Sequence, residues 1–325
     1  MSPAFNYLDW YGPAQMAVPA DFRNVTIRVF PLKAPYPLVE KIVDGCLNIA
    51  PPGTLDFEVK PIGSSDTVVF LQVLDYGSMS SRVMPHKNWG YLSQKELFFA
   101  IPVFFWRKGK PENPSLFVPY CFVSNFWSAL GGTAVLGYPK MLASFELPPD
   151  VQNPYPFHIK SDVFVHHNPG TPLTPEVVLR AKENVNPPPW QAPGLDPRRL
   201  WPFGPIDELF RPLDIRESEL DLLKAASVSG KHNVIQLKQF RDIQSPALAC
   251  YAALAGGNMK LEAFRGGGFL KPAEIEIFKY DSLKICETLG LYNTGGTVHP
   301  ILPFWMDCDF SFLDPKNLYV APPPP

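Results

Sequence analysis

Proline is the residue that most limits what this chain can fold into. It occurs 39 times in 325 residues, and it blocks helix interiors and central strands because it lacks an amide hydrogen and has a fixed φ. Clusters at Pro187–Pro189 and at Pro202 and Pro205 predict loops. The C-terminal run, residues 321–325, predicts a disordered or polyproline II tail.

Most segments between the prolines are short and rich in aliphatic, β-branched and aromatic residues, which is typical of strands. Helical patterns are fewer. Three segments predict helices: Tyr36–Cys46, Thr174–Glu183 and Ile215–Ala225. The predicted strands are Asn24–Pro31, Thr67–Leu74, Leu97–Trp106, Phe117–Phe126, Pro156–Val165, Asn233–Leu237 and Ala273–Tyr280.

These patterns indicate an α+β fold that is mainly β, with a closed or strongly curved sheet and helices packed outside it. The segment at about 148–232 is the most irregular, and its Pro- and Trp-rich middle, Asn186–Phe203, resembles a linker. The chain after Asn233 has no separate core pattern, however. We therefore expect a single domain, residues 1–325, with an insertion at about 148–232.

Composition excludes several classes of function. The formal net charge is −2 and the basic residues are scattered, so we expect no binding to nucleic acid or to an anionic membrane surface. The five cysteines are widely spaced, which is typical of free thiols in the cytoplasm. No spacing of histidines and cysteines suits a metal, and we expect neither a metal nor a cofactor.

A long uncharged stretch separates Glu112 from Lys140. It is long enough to cross a bilayer, but its Asn, Pro and Gly residues favour a buried strand and turn. Lys140 ends this stretch, and apolar residues follow it. A surface lysine is the ordinary interpretation. The alternative is an amine held against apolar walls, where desolvation lowers a pKa of about 10.4 by up to roughly 3–5 units.

The segment Gly137-Tyr138-Pro139-Lys140 resembles the turn that carries the Schiff-base lysine of the acetoacetate decarboxylase family. Glu96, four residues before Ala100-Ile101-Pro102-Val103, is similar to the family's active-site glutamate segment. The Asp21-Phe22-Arg23-Asn24 segment is similar to the family's opening, which supplies an arginine to the pocket. The resemblance covers most of the chain except about residues 148–232.

The resemblance implies the family's antiparallel β-barrel or cone with peripheral helices, and a symmetric homo-oligomer. It also implies roles. Lys140 would be the nucleophile, and Glu96 would donate a proton or position the substrate. Arg23 would receive a substrate carboxylate. Tyr138 and Met141, beside the lysine, are candidate substrate-binding residues.

The sequence departs from the family pattern at three places. Met141 stands where the decarboxylase has a second lysine, Gly132-Thr133-Ala134 replaces Gly-Arg-Glu, and Leu71 or Gln72 replaces the acid that braces the arginine. The pocket therefore carries fewer charges. We expect desolvation to activate Lys140, and a substrate bulkier and less charged than acetoacetate.

The expected function is a lyase that forms a Schiff base with a β-keto or 2-oxo acid or a related ketide. Decarboxylation is the first candidate reaction, in a pathway of small-molecule biosynthesis. Aldol or dehydration chemistry shares the same iminium and stays open. So does a non-catalytic protein that binds a small molecule on the same scaffold.

Overall fold

The computed structural model describes residues 16–186, 196–291 and 296–322, and strands dominate it. Within those ranges the strands are β1 Ala20–Pro35, β2 Glu58–Pro61, β3 Asp66–Ser81, β4 Leu92–Arg107, β5 Lys110–Val123, β6 Lys140–Glu146, β7 Phe157–Val163, β8 Thr174–Glu183, β9 Lys231–Arg241, β10 Ala249–Phe269, β11 Ala273–Ile277, β12 Thr297–Val298 and β13 Phe304–Val320.

Seven of these strands close into a ring. Their order is β5-β9-β10-β13-β1-β3-β4, and β4 pairs back onto β5. Most pairs are antiparallel, but β5 runs parallel to both β9 and β6. The predicted mainly β fold with a closed, curved sheet is therefore confirmed.

Strand β5 has three neighbours because two strands share one of its edges. Ser115 and Leu116 pair with β9, whereas Cys121, Phe122 and Val123 pair with β6. From β6 the sheet continues through β7, β8, β11 and β12. The ring and this second group of strands diverge at the middle of β5, and Lys140, the first residue of β6, lies beside this point.

The helices are short and pack against the sheet. They are α1 Tyr36–Leu47, α2 Phe126–Gly131, α3 Ile206–Phe210, α4 Glu217–Ser229 and α5 Ile285–Leu289, and a π-helical turn, Gly132–Leu136, continues α2. None of the helices in the described ranges is both long and apolar enough to cross a membrane. The predicted helices at Tyr36–Cys46 and Ile215–Ala225 are confirmed.

Side chains that alternate in direction along the strands face two separate hydrophobic cores. On β1, Phe30, Leu32 and Ala34 face the first core, which includes α1 and strands β7 and β8. Val25 and Ile27 face the second core, which includes α3, α4 and the residues around the main cavity. Residues two apart on a strand share a face, so one strand supplies both cores.

The predicted helix at Thr174–Glu183 is wrong, because the segment forms β8 between β7 and β11. β-branched residues and pairing on both edges outweigh the proline and glutamate of an apparent first helical turn. The predicted strand Phe117–Phe126 also ends early, at Val123. Asn125 then caps α2 by accepting hydrogen bonds from the amides of Trp127 and Ser128.

Residues 148–232 are less irregular than expected, since β7 and β8 belong to the sheet and α4 packs against it. The single-domain assignment stays a prediction. Pro187–Pro189 and Pro323–Pro325 lie outside the described residues, so the tail prediction applies to a segment of which only residues 321 and 322 are described.

Leu179 of β8 provides a test of whether this segment is part of the folding core. It is 1% exposed in the first core, so Leu179→Ala is expected to lower the free energy of unfolding by about 2–5 kcal/mol. Leu173, which is 52% exposed, supplies the control Leu173→Ala, with an expected change within about 0.5 kcal/mol. Urea denaturation measures both, and equal effects would show that β8 is peripheral to folding.

Candidate active site

A turn of tightly packed backbone places Lys140 at the first residue of β6. Gly137 has a φ of 82°, and a Cβ at this position would lie 2.7 Å from the carbonyl oxygen of Leu237 on β9. Only glycine suits both the left-handed backbone and this close approach. The turn therefore fixes Lys140 opposite Cys121, on the edge of β5.

The Lys140 side chain extends over Gly132 and ends between two oxygen atoms. Its Nζ donates to Glu96 Oε2 and to Ser128 Oγ, both at 3.0 Å. A Cβ at Gly132 would lie 2.6 Å from Lys140 Cε, so the glycine makes room for the chain. The side chain is only 8% exposed, which excludes the surface-lysine interpretation.

Glu96 is buried on β4 and is held by a second strand residue. Gln94, two residues earlier and on the same face, donates to Glu96 Oε2 at 2.7 Å. The Tyr138 ring completes this end of the site, with its centroid 5.7 Å from Lys140 Nζ. One carboxylate oxygen thus accepts from both the amine and the amide.

Burial and Glu96 act on Lys140 in opposite directions. Burial lowers the pKa of Lys140, but the neighbouring carboxylate raises it, and the net pKa lies above the ordinary 10.5. The lowering of the Lys140 pKa that we expect from desolvation is therefore outweighed by Glu96 in this arrangement. In the structure the amine is an ammonium paired with a carboxylate, and it becomes nucleophilic only when it gives up that proton.

The lysine end opens into the main cavity, which has a volume of about 150 Å³. Lys140, Glu96, Ser128 and Tyr138 are among its polar lining residues. The rest of the lining is mostly apolar or aromatic and includes Met79, Phe98, Val118, Leu136, Met306 and Phe310. The predicted apolar pocket is present around Lys140.

Arg23 lies outside this cavity. Its neighbour Phe22 faces the cavity, and successive strand residues point to opposite faces. The Arg23 guanidinium is half-exposed and pairs with Asp21 at 3.3 Å and Asp309 at 3.6 Å. It therefore lies apart from Lys140 in this structure, and its role in receiving a substrate carboxylate stays a prediction.

Met141 also faces away from the cavity, for the same reason. As the residue after Lys140 on β6, it packs against the first core and does not line the cavity. A substrate in the cavity would not contact it directly. The structure therefore brings Lys140, Glu96 and Tyr138 together and leaves Arg23 and Met141 out.

Sequence reasoning missed three residues of the site. Ser128 and His232 line the cavity, and Gln94 holds Glu96 by a hydrogen bond. Gln94 lies two residues before Glu96, just ahead of the predicted strand Leu97–Trp106, whereas Ser128 and His232 had no signal in the sequence. No cluster of three or more potential metal ligands occurs among the described residues.

Comparisons with solved structures identify the fold. The chain is similar to acetoacetate decarboxylase from Legionella pneumophila, with a TM-score of 0.55 and 15% identity over 98% of this chain and 93% of that one. An acetoacetate decarboxylase-like enzyme from Sphingomonas wittichii RW1 gives 0.52 and 12% over 98% and 100%. The enduracididine biosynthesis enzyme MppR, complexed with pyruvate, gives 0.52 and 11% over 95% and 93%.

This chain is thus a ring-shaped β protein with a lysine–glutamate pair buried in an apolar cavity. Its fold is the acetoacetate decarboxylase-like fold, as the resemblance of the lysine turn predicts. No protein-family model and no curated protein sequence matches the chain. At these identities the similarities establish the fold.

Replacing Glu96 tests the electrostatics of the pair. In Glu96→Gln the carboxylate that raises the pKa is gone while burial remains, so the pKa of Lys140 is expected to fall below 10.5. The pH dependence of Lys140 acetylation, followed by peptide mass mapping, measures this pKa. The exposed Lys33 in the same digest is an internal control. A pKa that stays the same in Glu96→Gln would contradict the assignment.

His232 predicts a pH dependence of stability. Burial lowers its pKa from 6.5 to about 3, so protonation favours the unfolded chain. Its contribution is full above pH 6.5 and falls as the pH drops toward 3, by up to about 1.4 kcal/mol per pH unit. His232→Phe should lose this part of the acid dependence in urea denaturation, whereas His166→Phe, at an exposed position, should keep it. Parallel profiles for wild type and His232→Phe would contradict the burial argument.

Proposed function

We propose that the protein is an enzyme that forms a Schiff base between Lys140 and the carbonyl carbon of a β-keto or 2-oxo acid, or a related ketide. One observation carries the proposal: the Lys140 amine is enclosed in an apolar cavity within 3.0 Å of a carboxylate and a hydroxyl. A structural lysine needs neither an accessible cavity nor an internal proton acceptor. No cofactor is needed for this chemistry.

The first step is transfer of a proton from the Lys140 ammonium to Glu96. In water the charged pair of ammonium and carboxylate is much more stable than the neutral pair of amine and carboxylic acid. A cavity of low dielectric reduces this difference in free energy. The transfer yields the neutral amine that attacks the substrate carbonyl. It also leaves Glu96 as a carboxylic acid, ready to donate.

The amine attack gives a carbinolamine, and proton transfer from Glu96 to its hydroxyl group releases water and leaves an iminium. In a β-keto acid the bond to the carboxyl carbon then breaks, and its electron pair moves to the iminium nitrogen. Carbon dioxide leaves and an enamine remains. Protonation of the enamine carbon and hydrolysis return the ketone and free Lys140.

The residues that line the cavity favour a reaction that removes the carboxylate of the substrate. Among the described lining residues, Lys140 is the only lysine or arginine. Once the amine has become the iminium, no further cation faces the substrate carboxylate, which lies against apolar side chains. Burying such a charge is unfavourable, and release of carbon dioxide removes it. Decarboxylation is therefore the reaction that we favour.

A second candidate is aldol or dehydration chemistry on a 2-oxo acid. The observation in its favour is the similar structure of MppR, which is complexed with pyruvate. Pyruvate lacks a β-carboxylate, so its iminium would instead lose a proton to form a nucleophilic enamine. The homo-oligomer, the cytoplasmic location and a place in small-molecule biosynthesis stay predictions.

Borohydride trapping tests the proposal. The protein is incubated with a panel of β-keto and 2-oxo acids, reduced, digested and mapped by mass. We expect an adduct on the peptide that contains Lys140, and its mass will show whether carbon dioxide has left. Lys140→Arg should abolish the adduct, because guanidinium does not form imines at neutral pH. The exposed Lys33→Arg is the matched control and should leave it unchanged.

Two outcomes would contradict the proposal. An adduct of equal yield in Lys140→Arg would place the chemistry on another amine. A complete lack of adducts, from folded protein that still binds these acids by calorimetry, would support the alternative of a non-catalytic binding protein.

A further inference from the structure

Two buried nitrogen atoms beside the cavity have no hydrogen-bond partner among the described residues. They are Nδ1 of His232 and Nε1 of Trp201, on residues that are 6% and 4% exposed. Both residues line the cavity. Buried polar atoms nearly always have partners, and leaving one without a partner costs stability. Both nitrogen atoms are themselves covered, so a small rotation of each ring toward the cavity would present them to a bound polar group.

The two rings contact each other and connect to the lysine end through aromatic neighbours. The ring centroids of Trp201 and His232 are 5.2 Å apart, and Trp201 lies 5.3 Å from Phe310. Phe310 in turn lies 6.2 Å from Tyr76, which is paired in register with Gln94. A continuous aromatic wall therefore runs from the Glu96 region to His232.

Strand register shows how far apart the two ends are. Lys140 is opposite Cys121 on β5, whereas Asn233, the residue after His232, is opposite Ser115. Six residues of strand separate these positions, which corresponds to about 20 Å. The cavity is therefore elongated, with the reactive amine near one end and the His232–Trp201 pair near the other.

The chemistry of the far end suits a neutral group. Burial lowers the pKa of His232 to about 3, so the imidazole is neutral at pH 7, with one donor and one acceptor nitrogen. The indole of Trp201 adds a donor. An anionic group would meet no cation there, because Lys140 is the only lysine or arginine among the described lining residues.

We propose that His232 and Trp201 form a distal subsite that binds a neutral hydroxyl or carbonyl group at the far end of an elongated, apolar ketone or keto acid. A half-turn of the imidazole exchanges a ring carbon and a ring nitrogen without moving the ring plane, so the pair can match either a donor or an acceptor. This inference rests on the proposed function for the identity of the reacting carbonyl, but the distal contact itself needs no imine.

The experiment compares pairs of straight-chain methyl ketones of increasing length, each with and without a terminal hydroxyl group. Calorimetry measures their affinity for the wild type and for Lys140→Met, which removes imine formation. We expect the hydroxyl to weaken binding of short ketones, which would bury it against apolar side chains. In ketones long enough to reach His232, we expect it to improve binding by about tenfold.

Single substitutions test which side chains contact the hydroxyl group of the ligand. Trp201→Phe and His232→Phe keep an aromatic ring and remove the nitrogen, so each should lose most of the hydroxyl preference while the parent ketones still bind. Trp106→Phe is the matched control. Its Nε1 is also buried without a partner, but it lies at a separate groove, so the preference should persist.

A hydroxyl preference that survives in both Trp201→Phe and His232→Phe would overturn the subsite, as would its absence at every chain length. If His232→Phe does not fold, Trp201→Phe and His232→Gln give the same comparison. Failure of borohydride trapping together with an intact hydroxyl preference would overturn the Schiff-base proposal alone. Trapping without any hydroxyl preference would overturn the distal subsite alone.

Discussion

The ion pair between Lys140 and Glu96 is the interaction on which the rest of the site depends. A lone ammonium in an apolar cavity would be very unfavourable, and a paired one is tolerated only when its remaining polar atoms also find partners. Ser128 and Gln94 supply those partners, and Gly132 leaves room for the lysine chain. The ion pair with Glu96 makes the buried lysine tolerable, but it also keeps the amine protonated. The stability of the folded site and the nucleophilicity of Lys140 Nζ therefore oppose each other.

The parts of the site that the sequence predicts are those carried by short local segments that resemble a known family. The lysine turn is local, since Gly137 and Lys140 are three residues apart, and its resemblance to a known family turn leads to the correct fold. Glu96 follows from the resemblance of its segment, four residues before Ala100-Ile101-Pro102-Val103, to the family's glutamate segment. The closed sheet follows from the many short apolar segments that the prolines separate.

The remaining parts depend on geometry that strand period and resemblance do not carry. Arg23 and Met141 are one residue away from positions that face the cavity, and a shift of one residue on a strand reverses the direction of a side chain. Thr174–Glu183 begins like a helix but pairs with the preceding strand β7 on one edge and with β11, far away in the chain, on the other. His232 and Trp201 meet across a connection of about thirty residues that contains α3 and α4.

The shared edge of β5 has a consequence for how the protein can vary. Strand β6 leaves the ring and continues into β7, β8 and β11, which do not line the cavity. The position of the Lys140 amine is therefore coupled to the packing of these strands. Changes in the packing of those strands can shift the position of Lys140, the first residue of β6. The reach of the lysine can therefore be adjusted from a distance, while every side chain that would contact a substrate stays the same.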